Sequence, residues 1–185
     1  MTAGLACVTG RFQPVHADHL RLLRRALDER GRLVVGITNP DPGVRRPEPT
    51  SAHRHLAEAN PFTYFERLEL LAAALASPEG LGPAAAPGVR FVPFDLGRPE
   101  QWAAYVPLSA VQYVGVSADW EREKARRLAD AGYRVVEVPG DPATRRSASD
   151  VRAALRRGEG WEALVPPATV APLRALLAAR AGTAW

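Results

Sequence analysis

Three observations predict a doubly wound α/β fold built on a five-stranded parallel sheet. Short apolar runs, several rich in β-branched residues, recur at 5–8, 33–37, Val89–Phe94, Val111–Val116 and 133–138. Stretches with helical spacing of leucines or charges alternate with them. The first run is followed by a glycine and a helix, then by the second run, and a strand, helix, strand order of this kind implies a right-handed parallel crossover.

Taken in order, the first strand at 5–8 leads through Gly10 into a helix over Ala17–Arg30. There Leu20, Leu22, Leu23 and Leu27 recur at helical spacing and Gly31 ends the pattern. After the second strand, residues 38–61 hold five prolines, a run of charged residues and the cluster His53, Arg54, His55, and read as a mobile flap. Thr63 and Glu66 form a capping box for a second helix, whose stripe is Phe65, Leu68, Leu71 and Leu75, ending near Ser77. A Pro/Gly/Ala linker at 78–88 precedes the third strand. A charged helix over 119–131, stopped by Gly132, separates the fourth and fifth strands. Helices at 149–157, 161–164 and 169–180 complete the chain, with Pro166 and Pro167 dividing the last two. Five strands alternating with helices make the sheet Rossmann-like.

With 185 residues, 46% of them apolar, one domain spanning 1–185 is expected, large enough to bury roughly 70% of its unfolded surface. The single cysteine, Cys7, sits inside the first apolar run and reads as a core thiol. No run approaches the ~20 apolar residues of a membrane span, and no basic leader precedes one, so a cytoplasmic protein without a membrane partner is expected. The net charge is +4, yet 23 of the 24 basic residues are arginine and Lys124 is the lone lysine. That skew, with heavy alanine use, reads as codon bias, and nucleic acid is not an expected partner.

The chemistry-bearing stretch is GRFQPVHADHL, residues 10–20. A glycine turn running into a helix N-terminus is a phosphate site in outline, because backbone N–H groups and the helix dipole favour an anion there. His16 and His19, three apart at that terminus, share one face and can donate to phosphate oxygens. Two histidines without a third ligand at suitable spacing do not make a zinc site, and no protein metal site is expected. Asp18 reads either as the helix N-cap or as a residue that alters nucleotide placement. Arg152 falls in the first turn of a helix begun at Ser149, where the dipole disfavours a cation, and such a broken local rule hints at a site.

GRFQPVHADH resembles the GRFQPxHxGH signature of the nucleotidyltransferase superfamily. NPFTYFERLE at 60–69 is similar to the NPFTxGER segment, and SASDVR at 147–152 to the SGTxIR motif, of archaeal-type nicotinamide mononucleotide adenylyltransferases. The resemblance implies transfer of a nucleotidyl group from a nucleoside triphosphate to a phosphate-bearing acceptor, with release of pyrophosphate and no covalent intermediate. It implies ATP and nicotinamide mononucleotide as substrates, giving NAD, with Mg2+ carried by the triphosphate and a homo-oligomeric enzyme. By the same resemblance His16, His19 and Arg152 are catalytic, and Gly10, Arg11, Phe12, Gln13, Ser147 and Ser149 bind nucleotide and phosphate. Arg67 is a structural or subunit-contact residue.

Trp102 matches the tryptophan that stacks on the nicotinamide ring; from sequence a half-buried core residue is an equal reading. Around it this chain has Leu96, Gly97, Arg98 and Pro99 where the family has asparagines, and Asp18 replaces the motif glycine. Similar domains in phosphonate pathways use CTP. The basic residues Arg45, Arg46 and Arg98 would suit an anionic acceptor, so a cytidylyltransferase activating a small phosphonate or phosphate is the alternative. Across the two readings the acceptor-binding residues are Trp102, Arg98 and Arg46. A non-catalytic nucleotide sensor is a third reading.

Overall fold

Because both faces of a parallel sheet are covered by helices, its strands alternate between two apolar layers, and the first strand shows this directly. In β1 (Gly4–Gly10), Ala6 and Val8 enter one core and Cys7 the other. The computed structural model describes residues 4–47, 53–83, 88–140 and 146–180. With β2 (Gly31–Thr38), β3 (Val89–Phe94), β4 (Val111–Val116) and β5 (Arg134–Pro139) it forms an all-parallel sheet of order β3-β2-β1-β4-β5. The chain winds outward from β1 to β3 and then returns to lay β4 on the other side of β1. The switch point therefore lies at β1 and β4, where ligands bind outside the carboxyl ends of the strands.

The helices are α1 (Ala17–Arg30), α2 (Tyr64–Ala76), a short α3 (Trp102–Tyr105), α4 (Asp119–Asp130), α5 (Ala148–Arg157) and α6 (Pro167–Ala179). Leu20, Leu23 and Leu27 of α1 pack with Leu70, Leu71 and Leu75 of α2 in the first core; Leu128 of α4 packs with Phe94 and Trp102 in the second. α1 stops at Gly31, whose φ of 78° lies in the left-handed region that glycine enters without a Cβ penalty. Cys7 is fully buried and burial pushes its thiol up to about 12, so it is inert. No helix among the described residues is long and apolar enough to cross a membrane.

Three local expectations are corrected. α5 begins at Ala148, because Ser147 rather than Ser149 is its cap: the Ser147 Oγ accepts from the Asp150 N–H at 3.2 Å and the Asp150 carboxylate accepts from the Ser147 N–H at 3.0 Å. Arg152 consequently sits in the second turn, where the dipole penalty has faded. The stretch 161–164 is a single 3-10 turn, Glu162–Leu164, and α6 opens on Pro167, whose missing N–H is an orphan at that position in any helix.

Arg67 of α2 is 1% exposed and holds the top of the sheet together. Its Nη1 donates to the carbonyls of Arg11 (2.8 Å) and Thr38 (2.6 Å), Nη2 to that of Asn39 (2.8 Å) and Nε to that of Thr63 (3.1 Å). These oxygens belong to the ends of β1 and β2 and the entry to α2, so the structural reading of Arg67 stands. Arg67→Met keeps the stem and strips four carbonyls of a charged donor, and it should destabilise the protein by about 3 kcal/mol or more. Urea unfolding checks this, and a loss below about 1 kcal/mol would remove Arg67 from that role.

Candidate active site

The end of β1 and the loop that follows it are held from behind by cations on three helices. Lys124 of α4 donates to the Thr9 carbonyl (2.5 Å), Arg67 of α2 to that of Arg11 (2.8 Å), and Arg152 of α5 to that of Gln13 (2.9 Å). Every second carbonyl from 9 to 13 is thereby satisfied by a side chain. The Gln13 amide also pairs with the Phe62 backbone in both directions, each at 2.9 Å, joining the 10–16 and 60–63 segments. Phe12 turns back with φ of 50°, and its ring end lies 2.9 Å from where a Cβ on Gly10 would stand, so a side chain at position 10 would have to displace that ring. The Phe12 ring then meets His19 edge-on at 4.8 Å between centroids.

His16 is the N-cap residue of α1 and His19 lies in its first turn, their rings 3.7 Å apart. The His16 backbone N–H donates to Nδ1 of His19 at 3.3 Å. In the neutral ring the proton then resides on Nε2, which becomes the donor available to a ligand. Burial, followed by the charges of His16, Lys124, Arg11 and Arg54, holds the His19 pKa well below the ordinary histidine value. His19 is thus a neutral hydrogen-bond donor in a field of positive charge.

A cleft of about 540 Å³ opens over these residues, at the carboxyl ends of β1 and β4. The entries to α1, α4 and α5 all border it, so three helix N-termini face one space. Among the described residues six cations line it, Arg11, Arg21, Arg25, Arg54, Lys124 and Arg146, against two carboxylates, Asp18 and Glu121. Both acids are already engaged. Glu121 accepts from the N–H groups of Ser117 (2.5 Å) and Ala118 (2.8 Å); Asp18 pairs with Arg21 (2.5 Å) and accepts from the Arg146 N–H (3.0 Å). Asp18 is therefore not the N-cap. It staples the start of α1 to the segment before α5, across the mouth of the cleft. Such an excess of positive charge over engaged acids is a site for a polyanion.

Of the residues singled out from sequence, Gly10, Arg11, Phe12, Gln13, His16, His19, Ser147 and Ser149 line the cleft. Burial and the nearby guanidiniums of Arg54, Arg152 and Arg67 push the Arg11 pKa down, a charge crowding that a bound anion would relieve. Arg152 lies behind the wall, buried, with Nη2 donating to the Ser149 Oγ at 3.0 Å. The acceptor residues do not join the cleft. Trp102 is 1% exposed, stacked against Phe94 at 5.5 Å, and spends its Nε1–H on the Asp95 carbonyl at 2.7 Å, so its ring has no face to offer a ligand. Arg98 is exposed beside Glu100 (3.5 Å), and Arg46 is exposed with Nη1 donating to the Gly43 carbonyl at 2.6 Å.

Part of the flap expected over 38–61 is firmly tied to the site, while residues 48–52 lie outside the described residues. The Arg54 carbonyl accepts from Arg11 (3.2 Å) and from the buried Asn60 amide (2.8 Å), and the Arg54 guanidinium lies 3.4 Å from the centroid of the Trp120 ring. Lys124 and Trp120 are among the cleft residues that sequence reasoning missed, with Thr9, Arg21, Glu121 and Arg146. The one available signal was that a chain using arginine almost everywhere has a single lysine, whose compact ammonium is a point charge rather than a planar fork. Burial, then the charge of Arg54, pushes Lys124 down to about 8.

A cationic cleft at the switch point of a parallel sheet, floored by paired histidines at a helix N-terminus, defines an α/β enzyme that handles nucleotide phosphates. The family model described as cytidylyltransferase-like matches residues 7–154, and the chain belongs to that family; it is a nucleotidyltransferase. It is 37% identical over 166 residues to the phosphonoformate cytidylyltransferase of Streptomyces viridochromogenes, covering 90% of this chain and 88% of that one. It is 31% identical over 162 residues to the nicotinamide-nucleotide adenylyltransferase of Pyrococcus furiosus, covering 85% and 76%. Among solved structures, the bifunctional NMN adenylyltransferase/ADP ribose pyrophosphatase of Francisella tularensis shares the fold with a TM-score of 0.61 at 17% identity. That match covers 88% of this chain and 44% of the other, so the chain spans less than half of that protein's length. Both resemblances read from the sequence are thus borne out.

The depressed His19 pKa has a definite sign. Below the ordinary histidine value of about 6.5 the unfolded chain binds a proton that the folded chain refuses, so stability falls as pH drops through that value. Proton NMR of the His19 ring should show no titration between about pH 6 and 8. A midpoint at 6.5 or above would contradict the neutral donor.

Proposed function

We propose that the chain transfers a nucleotidyl group from CTP to a small phosphonate- or phosphate-bearing acceptor, releasing pyrophosphate. The observation that carries the choice of acceptor is the burial of Trp102. An acceptor with an aromatic base loses the Trp102 surface, and the cleft indole, Trp120, has Arg54 3.4 Å from its centroid, whereas a compact anion is served by cations on the cleft walls. The 37% identity to a phosphonoformate cytidylyltransferase supports CTP as donor. Transfer from ATP to nicotinamide mononucleotide, the first reading of the sequence, is kept as the second, favoured by archaeal adenylyltransferases at 30–31% identity.

In this reading an oxygen of the acceptor attacks the α-phosphorus of the triphosphate in line. The bond from that phosphorus to the β-bridging oxygen breaks, and pyrophosphate leaves. Neutral His19 donates from Nε2, and His16, Arg11 and the N–H groups at the start of α1 add donors toward phosphate oxygens that gain charge in the transition state. These groups are set before substrate arrives, because the Thr9, Arg11 and Gln13 carbonyls are already held from behind. Ser147 and Ser149, at the entry to α5, line the side of the cleft near the Asp18 staple and would meet the nucleotide. Arg152 acts through Gln13 and Ser149 as a positioning residue.

Magnesium enters as part of the proposal. Asp18 and Glu121 are engaged, and no group of three or more candidate ligands exists among the described residues. The donor set therefore fits an ion held mainly by phosphate oxygens and water, which would supply charge neutralisation to the triphosphate.

Pyrophosphate release measured with each of the four triphosphates against phosphonoformate, other small phosphonates and nicotinamide mononucleotide tests the reading. Activity with CTP and a phosphonate, and none with ATP and the mononucleotide, is the expected result. The reverse pattern installs the second reading, and no activity in any combination favours the nucleotide sensor. His19→Ala should lower the rate by at least ~100-fold, the scale for losing one preorganised donor, with folding little changed. A fully active variant would sink the mechanism.

A further inference from the structure

The cleft holds a second cluster of polar groups that the histidine pair does not use. Lys124 is 7% exposed, among the most deeply buried cations in the described residues, and its ammonium lies 5.9 Å from the centroid of the Trp120 ring. The Arg54 guanidinium lies 3.4 Å from the same centroid. Two cations from distant parts of the chain, one on α4 and one on the segment after β2, thus converge on one indole. Thr9, whose carbonyl takes the Lys124 bond, is 5% exposed, lines the cleft, and has a buried Oγ1 with no hydrogen-bond partner among the described residues. Glu121, one turn away on α4, is the carboxylate whose charge Lys124 feels, but it is bonded to the Ser117 and Ala118 N–H groups; the buried Thr9 hydroxyl still lacks a partner, and native structures tolerate such a group where a ligand completes the set.

We infer that Lys124, Arg54 and Thr9 form a second anion subsite, distinct from the histidine pair, and that the acceptor is a small molecule carrying two anionic groups. One group is the phosphonate or phosphate that attacks the α-phosphorus. The other, a carboxylate or second phosphorus acid, takes two charge-assisted bonds and the Thr9 hydroxyl. The inference rests on the proposed function for the identity of the reacting group, and the subsite itself rests on the geometry. The lysine is suited to this part because its compact ammonium is a point charge that already reaches the Thr9 carbonyl, whereas an arginine would present a planar fork of different reach. Trp120 supplies the floor: a cation over a ring face keeps its position without giving its hydrogen-bond donors to a carboxylate.

The test uses the full chain and two probes, phosphonoformate, which bears a phosphonate and a carboxylate, and methylphosphonate, which bears the phosphonate alone. Calorimetric titration in the absence of nucleotide should give binding of phosphonoformate that weakens at least ~10-fold in Lys124→Met and in Arg54→Met, the scale of a lost charge-assisted hydrogen bond. With CTP present, the ratio of kcat/KM for phosphonoformate over methylphosphonate should fall at least ~10-fold in both variants, while the KM for CTP moves less than that for phosphonoformate. Lys124→Arg should not restore the ratio. A merely structural lysine would lower both acceptors alike and leave the ratio unchanged, and that outcome overturns the inference. So does wild-type affinity for phosphonoformate in both methionine variants. If Lys124→Met does not fold, Arg54→Met, on an exposed-edge segment, decides by the same two readouts. Binding that depends on Lys124, without turnover by any triphosphate, would refute the proposed function and leave the subsite standing.

Discussion

Three buried cations on one loop are the constraint from which the site follows. From Thr9 at the end of β1 to Gln13 in the loop beyond it the chain leaves the sheet, and Lys124, Arg67 and Arg152 each donate to one of its backbone oxygens. A hydrogen bond from a charged donor is about twice as strong as a neutral one, so the loop gains a rigidity that its own backbone could not provide. Because each donor comes from a different helix, the loop also records the relative placement of α2, α4 and α5. Phe12 and Gly10 transmit that placement to His19.

The same arrangement concentrates positive charge. Arg11, Arg54, Lys124 and the histidine pair share a space in which the two acids among the described residues are committed elsewhere, and the pKa values of His19, Arg11 and Lys124 are all driven down. The free protein is therefore strained electrostatically in a way a polyanion relieves. Stability given up at a binding site in this manner is recovered as ligand affinity. Catalysis of nucleotidyl transfer needs little more, since positioning and charge stabilisation supply most of the barrier reduction in phosphoryl chemistry.

Local patterns carried the fold far. Every strand and most helix bounds were legible because they depend on period-2 and period-3.6 spacing and on caps such as Gly31 and Thr63, all properties of a few adjacent residues. The errors fall where a neighbour in sequence was not the deciding partner. α5 starts one residue before the expected Ser149 because Ser147 caps it, with Asp150 at the reciprocal position. Asp18 was drawn away from capping by Arg21 and by the Arg146 N–H, which comes from more than a hundred residues away.

The sequence by itself determined the parallel sheet, the glycine turn, the paired histidines at a helix N-terminus and the inert Cys7, because each is set by residue type and short-range spacing. Only the tertiary structure decided that Trp102 is core, that Arg152 and Arg67 brace carbonyls, and that Arg46 and Arg98 stay at the surface. It alone brought Lys124 and Arg54 over Trp120. The physical reason is that a charged or aromatic side chain takes its role from what surrounds it. Burial, the sign of neighbouring charges and the carbonyl within reach are supplied by elements that the chain joins only after folding.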